Sequence, residues 1–307
     1  MNQNNYKYLR WMAPVFVTLL AGFIMRLGPI TSAFKTYGEQ PSQKVYALEI
    51  PDSLTFAGEK IALTSPDLKE RLDKELLVNT YWQSNMLLMI KRANKYFPEI
   101  ERILVAQGIP KDFKYLAVIE SGLENVRSPA GAKGFWQLMK NTGKEMGLEI
   151  NTNVDERYHL ELSTVVASKY LKKAKSKLGS WTLAAASYNR GMSGIQRILN
   201  TQQADDYFDL LLGTETSRYV FRILAVKLIM ENPTKFGYVY EGQDLYQAIP
   251  VRKYGLDTAI NNLAEFSKEK DINYKILKIH NPWLLENHLN NKSRKRYEIS
   301  IPEKGYY

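Results

Sequence analysis

Residues 113–139 read FKYLAVIESGLENVRSPAGAKGFWQLM, and the change of pattern inside this stretch decides how the rest of the chain is read. Phe113, Leu116, Ala117 and Glu120 stand at i, i+3, i+4 and i+7, so a helix puts all four on one face and a carboxylate shares the buried stripe. Such a glutamate either reaches a buried partner or stays protonated through desolvation. A carboxyl that is protonated at neutral pH is a general acid. From position alone, a structural carboxylate that caps a neighbouring helix or pairs with an arginine is the stronger reading. Ser128-Pro129-Ala130-Gly131-Ala132-Lys133-Gly134 is too rich in turn formers to extend the helix. It predicts a loop or small hairpin lining a cleft, followed by Phe135-Trp136-Gln137. Cleavage of a sugar bond needs a carboxylic acid beside a groove of aromatics, amides and exposed backbone, and residues 120–139 and 187–191 supply those ingredients.

Working outward, Phe97, Ile100, Ile103, Leu104 and Gln107 form a helical stripe that stops at Gly108-Ile109-Pro110. Asp112 is the expected N-cap of the next helix. Ala167, Tyr170, Leu171, Ala174 and Leu178 mark a later helix with lysines on its other face, and Trp181, Ala184, Ala185 and Tyr188 mark another. A last long helix follows Thr216 and ends before Asn232-Pro233. Residues 70–240 therefore predict one compact helical domain, preceded by a linker or N-terminal extension at 35–69. After Tyr246 the pattern changes to strand (248–254), helix (257–268), helix (274–280) and strand (297–301), a small β-α-α-β module within 241–307. The expected fold class is mainly α with this module appended.

The chain has 307 residues, 45% of them hydrophobic and 24% charged, the balance of a soluble fold. A formal charge of +10 favours an acidic partner: nucleic acid, an anionic membrane surface or an anionic cell wall. The absence of cysteine excludes disulfides, thiolate metal sites, cysteine nucleophiles and a lipid-modified cysteine. His159, His280 and His288 lack metal-ligand spacing and read as solvated, and no phosphate-cradling glycine loop is present, so neither metal nor cofactor is implied. Lys7 and Arg10 precede an apolar run, residues 11–25, within a segment 1–34 that reads as an export signal. Cleaved signal peptide and retained membrane anchor are both open, the latter giving membrane contact through 11–25. Either places the function in the cell envelope, on the periplasmic side.

Four motifs in order carry a family resemblance. Residues 113–139 resemble the catalytic core of the soluble-lytic-transglycosylase-like domain, which is lysozyme-like in fold. VDERYHLELSTVVASKYLKKA, WTLAAASYNRGMSGI and ETSRYVFRILAVKLIMENP are similar to that family's later motifs, and the membrane-bound D type is the nearest in pattern. Within 241–307, YGLDTAINNLAEFSKEKDINYKILKIHNPWL (254–284) and the strand RYEISIP (296–302) resemble a degenerate lysin-motif domain, a glycan-binding unit, although a packing extension of the main domain fits the pattern equally. The resemblance implies that Glu120 is the catalytic acid/base and that Ser121 orients it. It implies that Gln137 contacts the sugar, that the Tyr188 hydroxyl touches the catalytic glutamate and that Asn189 supports the groove. Glu215 and Tyr219 match a further Glu-Thr…Tyr motif at the groove. Ser187, Arg190 and Met192 depart from the family pattern and bear on substrate fit. The implied activity is cleavage of the MurNAc–GlcNAc bond of peptidoglycan strands with 1,6-anhydromuramic acid ends. Glu124, Asp155 and Glu215 are left open as second carboxylates. A hydrolysing muramidase of lysozyme type is the enzymatic alternative, and a non-catalytic wall-binding scaffold the other. A nucleic-acid partner is not expected, and the oligomeric state is open.

Overall fold

In the computed structural model the described residues are 44–307. The expected signal or anchor at 1–34, including the apolar run 11–25, lies outside them, as does the first part of 35–69. No helix among the described residues is long and apolar enough to cross a membrane.

The stretch expected to be a linker contributes instead to the core. β1 (Ser53–Phe56) and β2 (Glu59–Ala62) pair antiparallel in the register Ser53↔Ala62 to Phe56↔Glu59. Ala57 and Gly58 both take positive φ, as a two-residue hairpin turn matching strand twist requires. Phe56 and Leu63 are fully buried, and Phe56 packs edge-on to Phe113 at 5.3 Å. Such alternation is short and was masked in the sequence by polar neighbours. The Glu59 carboxylate accepts hydrogen bonds from the Trp181 and Thr182 backbone N–H groups (2.6 and 3.0 Å) and pairs with Lys175. It thereby caps a helix distant in sequence.

The helical domain begins with α1 (Pro66–Tyr81), capped by the Ser65 hydroxyl and started by Pro66. Trp82 breaks it, and α2 (Gln83–Ala106) follows. Gly108 at φ +71 ends α2 while the Ile109 N–H bonds back to the Leu104 carbonyl, as the sequence predicts. Asp112, expected to cap the next helix, lies in a 3-10 turn (Lys111–Phe113); its carboxylate accepts from the Ala57 N–H at 2.8 Å and pairs with Lys227. The hairpin and the last helix thus claim this side chain. α3 (Lys114–Ser121), α4 (Lys140–Glu145), α5 (Leu160–Leu178), α6 (Trp181–Arg190) and α7 (Met192–Gln202) succeed one another. α8 (Thr214–Glu231) packs on α1, α3 and α6 and buries Tyr219, Val220, Phe221, Ile223, Leu224 and Val226 around most of its circumference. It is the central helix of the domain.

The C-terminal module is β3 (Val251–Leu256), α9 (Leu263–Glu269), α10 (Tyr274–His280) and β4 (Tyr297–Pro302), with the strands antiparallel from Val251↔Pro302 to Leu256↔Tyr297. Its own core is built on Leu263, Leu277, Trp283, Leu284 and Ile299, and Val154 of the helical domain inserts into it. The Asp155 N–H donates to the Trp283 carbonyl at 2.9 Å, and the Asn153 side chain bonds His288 and Asn290. Residues 47–307 are one compact unit.

His159, read as solvated, instead caps α5 through its ring, and burial beside Trp283 pushes its pKa down to about 4. Ser180 caps α6 through the Leu183 N–H; replacing Glu59 with Ala removes the acceptor of the Trp181 and Thr182 N–H groups and should lower unfolding free energy by about 1–2 kcal/mol at pH 7 in denaturant titrations. Burial raises the Glu59 pKa, but the Trp181 N–H, Lys175 and the Thr182 donors outweigh it and leave a net lowering. The contribution is therefore present above the ordinary glutamate range and lost as pH falls through the folded pKa, so the two proteins should converge in stability in acid.

Candidate active site

α3 ends at Gly122, which takes φ +62 and donates its N–H to the Val118 carbonyl at 2.8 Å. This stop leaves Glu120 in the last helical turn, at a cleft of about 460 Å³. Leu116 and Ala117, one turn back on the same face, are fully buried. Opposite, α8 brings Tyr219, whose hydroxyl donates to the Glu120 carboxyl. Burial pushes the Glu120 pKa up to about 7; the Tyr219 hydroxyl and the charge of Arg222 pull against it, and Glu215 adds to the rise. Desolvation wins because Glu120 has no ion pair among the described residues.

The other carboxylates around the site are each held by another side chain. Glu75 of α1, 1% exposed, pairs with Arg218 at 2.5 Å and lies 3.9 Å from Arg222. Glu124 pairs with Arg92 at 2.5 Å. Asp155 is clamped by Arg157 (2.8 Å) and Lys133 (3.0 Å), and Glu215 accepts from the Asn189 amide at 2.9 Å. Of the candidates for a second carboxylate, Glu124 and Asp155 are thus committed to cations and Glu215 to Asn189.

The turn after α3 is held by these side chains. Ser121 Oγ donates to the Phe135 carbonyl (2.8 Å), and the Tyr188 hydroxyl donates to the Trp136 carbonyl (2.8 Å). Gln137 sits at φ +45 and spends its amide N–H groups on the Gly134 and Val126 carbonyls at 2.8 and 3.1 Å. Asn189 is fixed between Glu215 and the Thr216 hydroxyl, which donates to its Oδ1 at 2.8 Å, joining α6 to the start of α8. The resemblance implied that the Tyr188 hydroxyl touches Glu120. Instead Tyr219 makes that contact, and Tyr188 holds the turn from beneath, packed edge-on to Tyr170 at 5.2 Å. Both phenols sit well above their ordinary pKa through burial, with the Glu120 charge next in weight. Trp136 is core: fully buried, with its indole N–H on Thr164 Oγ1 at 2.9 Å.

Behind the turn, the Arg157 guanidinium bonds the Gly131 and Leu138 carbonyls at 3.0 and 3.1 Å. Gly134, at φ +78, presses against the Arg157 carbonyl so closely that a Cβ would lie 2.0 Å from that oxygen. The close neighbour that requires a glycine at this position is the protein's own backbone.

Glu75, Trp82, Arg92, Arg218 and Arg222 are among the groups at the cleft that escaped the sequence reading. Glu75 was findable, because Leu72, Glu75, Leu76 and Asn79 repeat the pattern that exposed Glu120. Arg222 stands three residues after Tyr219, on the same side of α8.

Residues 101–210 match the family profile described as Transglycosylase SLT domain, and residues 252–305 match that of the Soluble lytic transglycosylase C-terminal LysM-like domain. The chain is 28% identical over 195 residues to the protein named Membrane-bound lytic murein transglycosylase D of Escherichia coli strain K12, and to its counterpart in strain O6:H1. The match covers 61% of this chain and 42% of the relatives' length. Among solved structures, an inactive mutant of lytic transglycosylase Slt from Pseudomonas aeruginosa is 19% identical, with a TM-score of 0.36, over 49% of this chain and 26% of that one. The 70 kDa soluble lytic transglycosylase of Escherichia coli is 16% identical, with a TM-score of 0.39, over 58% of this chain and 33% of that one.

Gly134→Ala must overcome both a positive φ and the Arg157 oxygen, and should cost about 2 kcal/mol or more of stability. Gly131→Ala meets no atom within 4 Å, so strain alone applies and it should cost about 1 kcal/mol. Thermal unfolding of the two variants checks the difference.

Proposed function

We propose, for a chain that carries a transglycosylase SLT domain followed by a LysM-like domain, that it is a lytic transglycosylase cleaving peptidoglycan glycan strands, with Glu120 as the acid and then the base. The observation that carries this reading is the isolated, desolvated Glu120 facing a cleft, with a pKa of about 7 and neighbouring carboxylates that are all held by other side chains. A protonated Glu120 donates its proton to the glycosidic oxygen between MurNAc and GlcNAc, and the C1–O bond breaks. The muramic unit's own acetamido group supports the developing cation. The Glu120 carboxylate left behind removes the proton of that sugar's 6-hydroxyl, whose oxygen closes on C1. Glu120 is reprotonated, and the product carries a 1,6-anhydro ring with no water consumed. Tyr219, hydrogen-bonded to Glu120, stabilises the ionised form in the second half of the cycle. Ser121, Gln137, Tyr188 and Asn189 shape the groove by holding its turn and its helix ends, and Glu215 tethers Asn189. Action in the cell envelope, with the N-terminal segment as export signal or anchor, completes the proposal.

Replacing Glu120 with Gln removes the transferable proton and should lower sacculus digestion by about 10²- to 10⁴-fold without unfolding the protein. Mass spectrometry of wild-type digests should show muropeptides ending in anhydromuramic acid. Reducing muramic ends as the main product would assign a muramidase, and near-wild-type digestion by the Gln variant would assign another acid.

Because the acid must be protonated, kcat/KM should fall as pH rises through about 7. The Tyr219 hydroxyl lowers the Glu120 pKa, so Tyr219→Phe should move this limb to higher pH while reducing the maximal rate. An unmoved limb would uncouple Tyr219 from the acid.

A further inference from the structure

The cleft has a second wall that the family profile at 101–210 does not reach, made by the junction of α1 and α2. Trp82 stands there at φ −88, ψ 58, between the two helices, and is 61% exposed. Its indole N–H has no hydrogen-bond partner among the described residues. Val78, one turn earlier and 46% exposed, and Val126 across the cleft, 39% exposed, line the same space as Glu120. Single exposed apolar residues are ordinary, but three bordering one cleft beside an acid mark a binding surface. Asn85, one turn into α2, also faces this space; among the described residues, its side-chain amide makes only a 4.0 Å approach to Met89 Sδ.

We propose that the α1–α2 junction is a sugar subsite of the Glu120 cleft, with the Trp82 indole stacking on the face of an N-acetylhexosamine ring of the glycan strand. A pyranose ring is apolar on its C–H faces and polar at its rim, so a flat indole with amide groups beside it is complementary to it. Val78 and Val126 border the space the acetamido methyl occupies, and Asn85 meets a hydroxyl at the rim. The surface is continuous with the acid, so a strand gripped here presents its next bond to Glu120. Trp82 touches no reacting atom; it is a specificity and positioning residue, whose binding is shared by ground and transition states.

The subsite rests on the proposed reaction, and its test separates the two. The full chain is assayed on peptidoglycan glycan strands freed of their peptides by an amidase. Trp82→Ala should raise KM by about tenfold or more while kcat stays within about twofold. Trp82→Phe should recover most of the loss, and circular dichroism should match wild type because the side chain is exposed. In the Glu120→Gln background, the protein that retains Trp82 should bind the same strands about tenfold more tightly than the one that also carries Trp82→Ala, read by calorimetry. An unchanged KM and affinity in Trp82→Ala would overturn the subsite, as would a dependence on Trp82 that appears only when peptide stems are present. Strand binding that depends on Trp82 without any cleavage by the wild-type chain would refute the reaction and leave the subsite standing.

Discussion

The structure is organised around one unfavourable act, the withdrawal of the Glu120 carboxyl from water without a cation to meet it. Among the described residues, every other carboxylate at the cleft has an arginine or an amide, and Glu120 has a phenol. The consequence for stability has a definite sign. The folded pKa lies above the ordinary glutamate value, so folding binds a proton between about 4.5 and about 7, and Glu120 increasingly opposes folding as pH rises through that window. The packing of α8 on α1, α3 and α6 compensates for this, which places the strain of the site at the centre of the core.

Holding an acid is of little use unless the groove beside it is fixed. The turn after α3 is anchored by the buried Phe135 and Trp136 and is further held through carbonyl oxygens: Ser121 takes Phe135, Tyr188 takes Trp136, and Arg157 takes Gly131 and Leu138. Arg157 is in turn locked by Asp155, whose backbone N–H is bonded to Trp283 of the C-terminal module. A continuous set of hydrogen bonds therefore links the back of the module to the back of the groove. Lys295 of the module, bonded to Glu149 at 2.9 Å, reinforces the same seam.

Helix faces were legible in the sequence where apolar residues recur at helical spacing, as from Phe113 to Glu120, and so was the β-α-α-β order of the module. The hairpin at 53–62 was not, because each strand has only four residues and its partners for burial, Phe113 and the α6 cap, are distant in sequence. Glu120 stood out as a carboxylate on a buried stripe, and the segments around it together with the family resemblance gave it its catalytic reading. Glu75 holds the same kind of position on α1 and was passed over for lack of a motif around it. That Tyr219, and not Tyr188, bonds Glu120 depends on how α6 and α8 cross, which spacing along one chain does not encode. Asp112 shows the same limit: a local N-cap was expected, and a tertiary partner in the hairpin took the side chain.

The central claim concerns the protonation state of a single side chain, so it is tested most directly by titrating that group. Carbon-13 NMR of the glutamate side-chain carboxyls, with Glu120 assigned by its loss in Glu120→Gln, follows its chemical shift across pH 4 to 9. A midpoint of about 7 is expected for Glu120. A midpoint at the ordinary glutamate value, with Glu120 ionised throughout the neutral range, would contradict it.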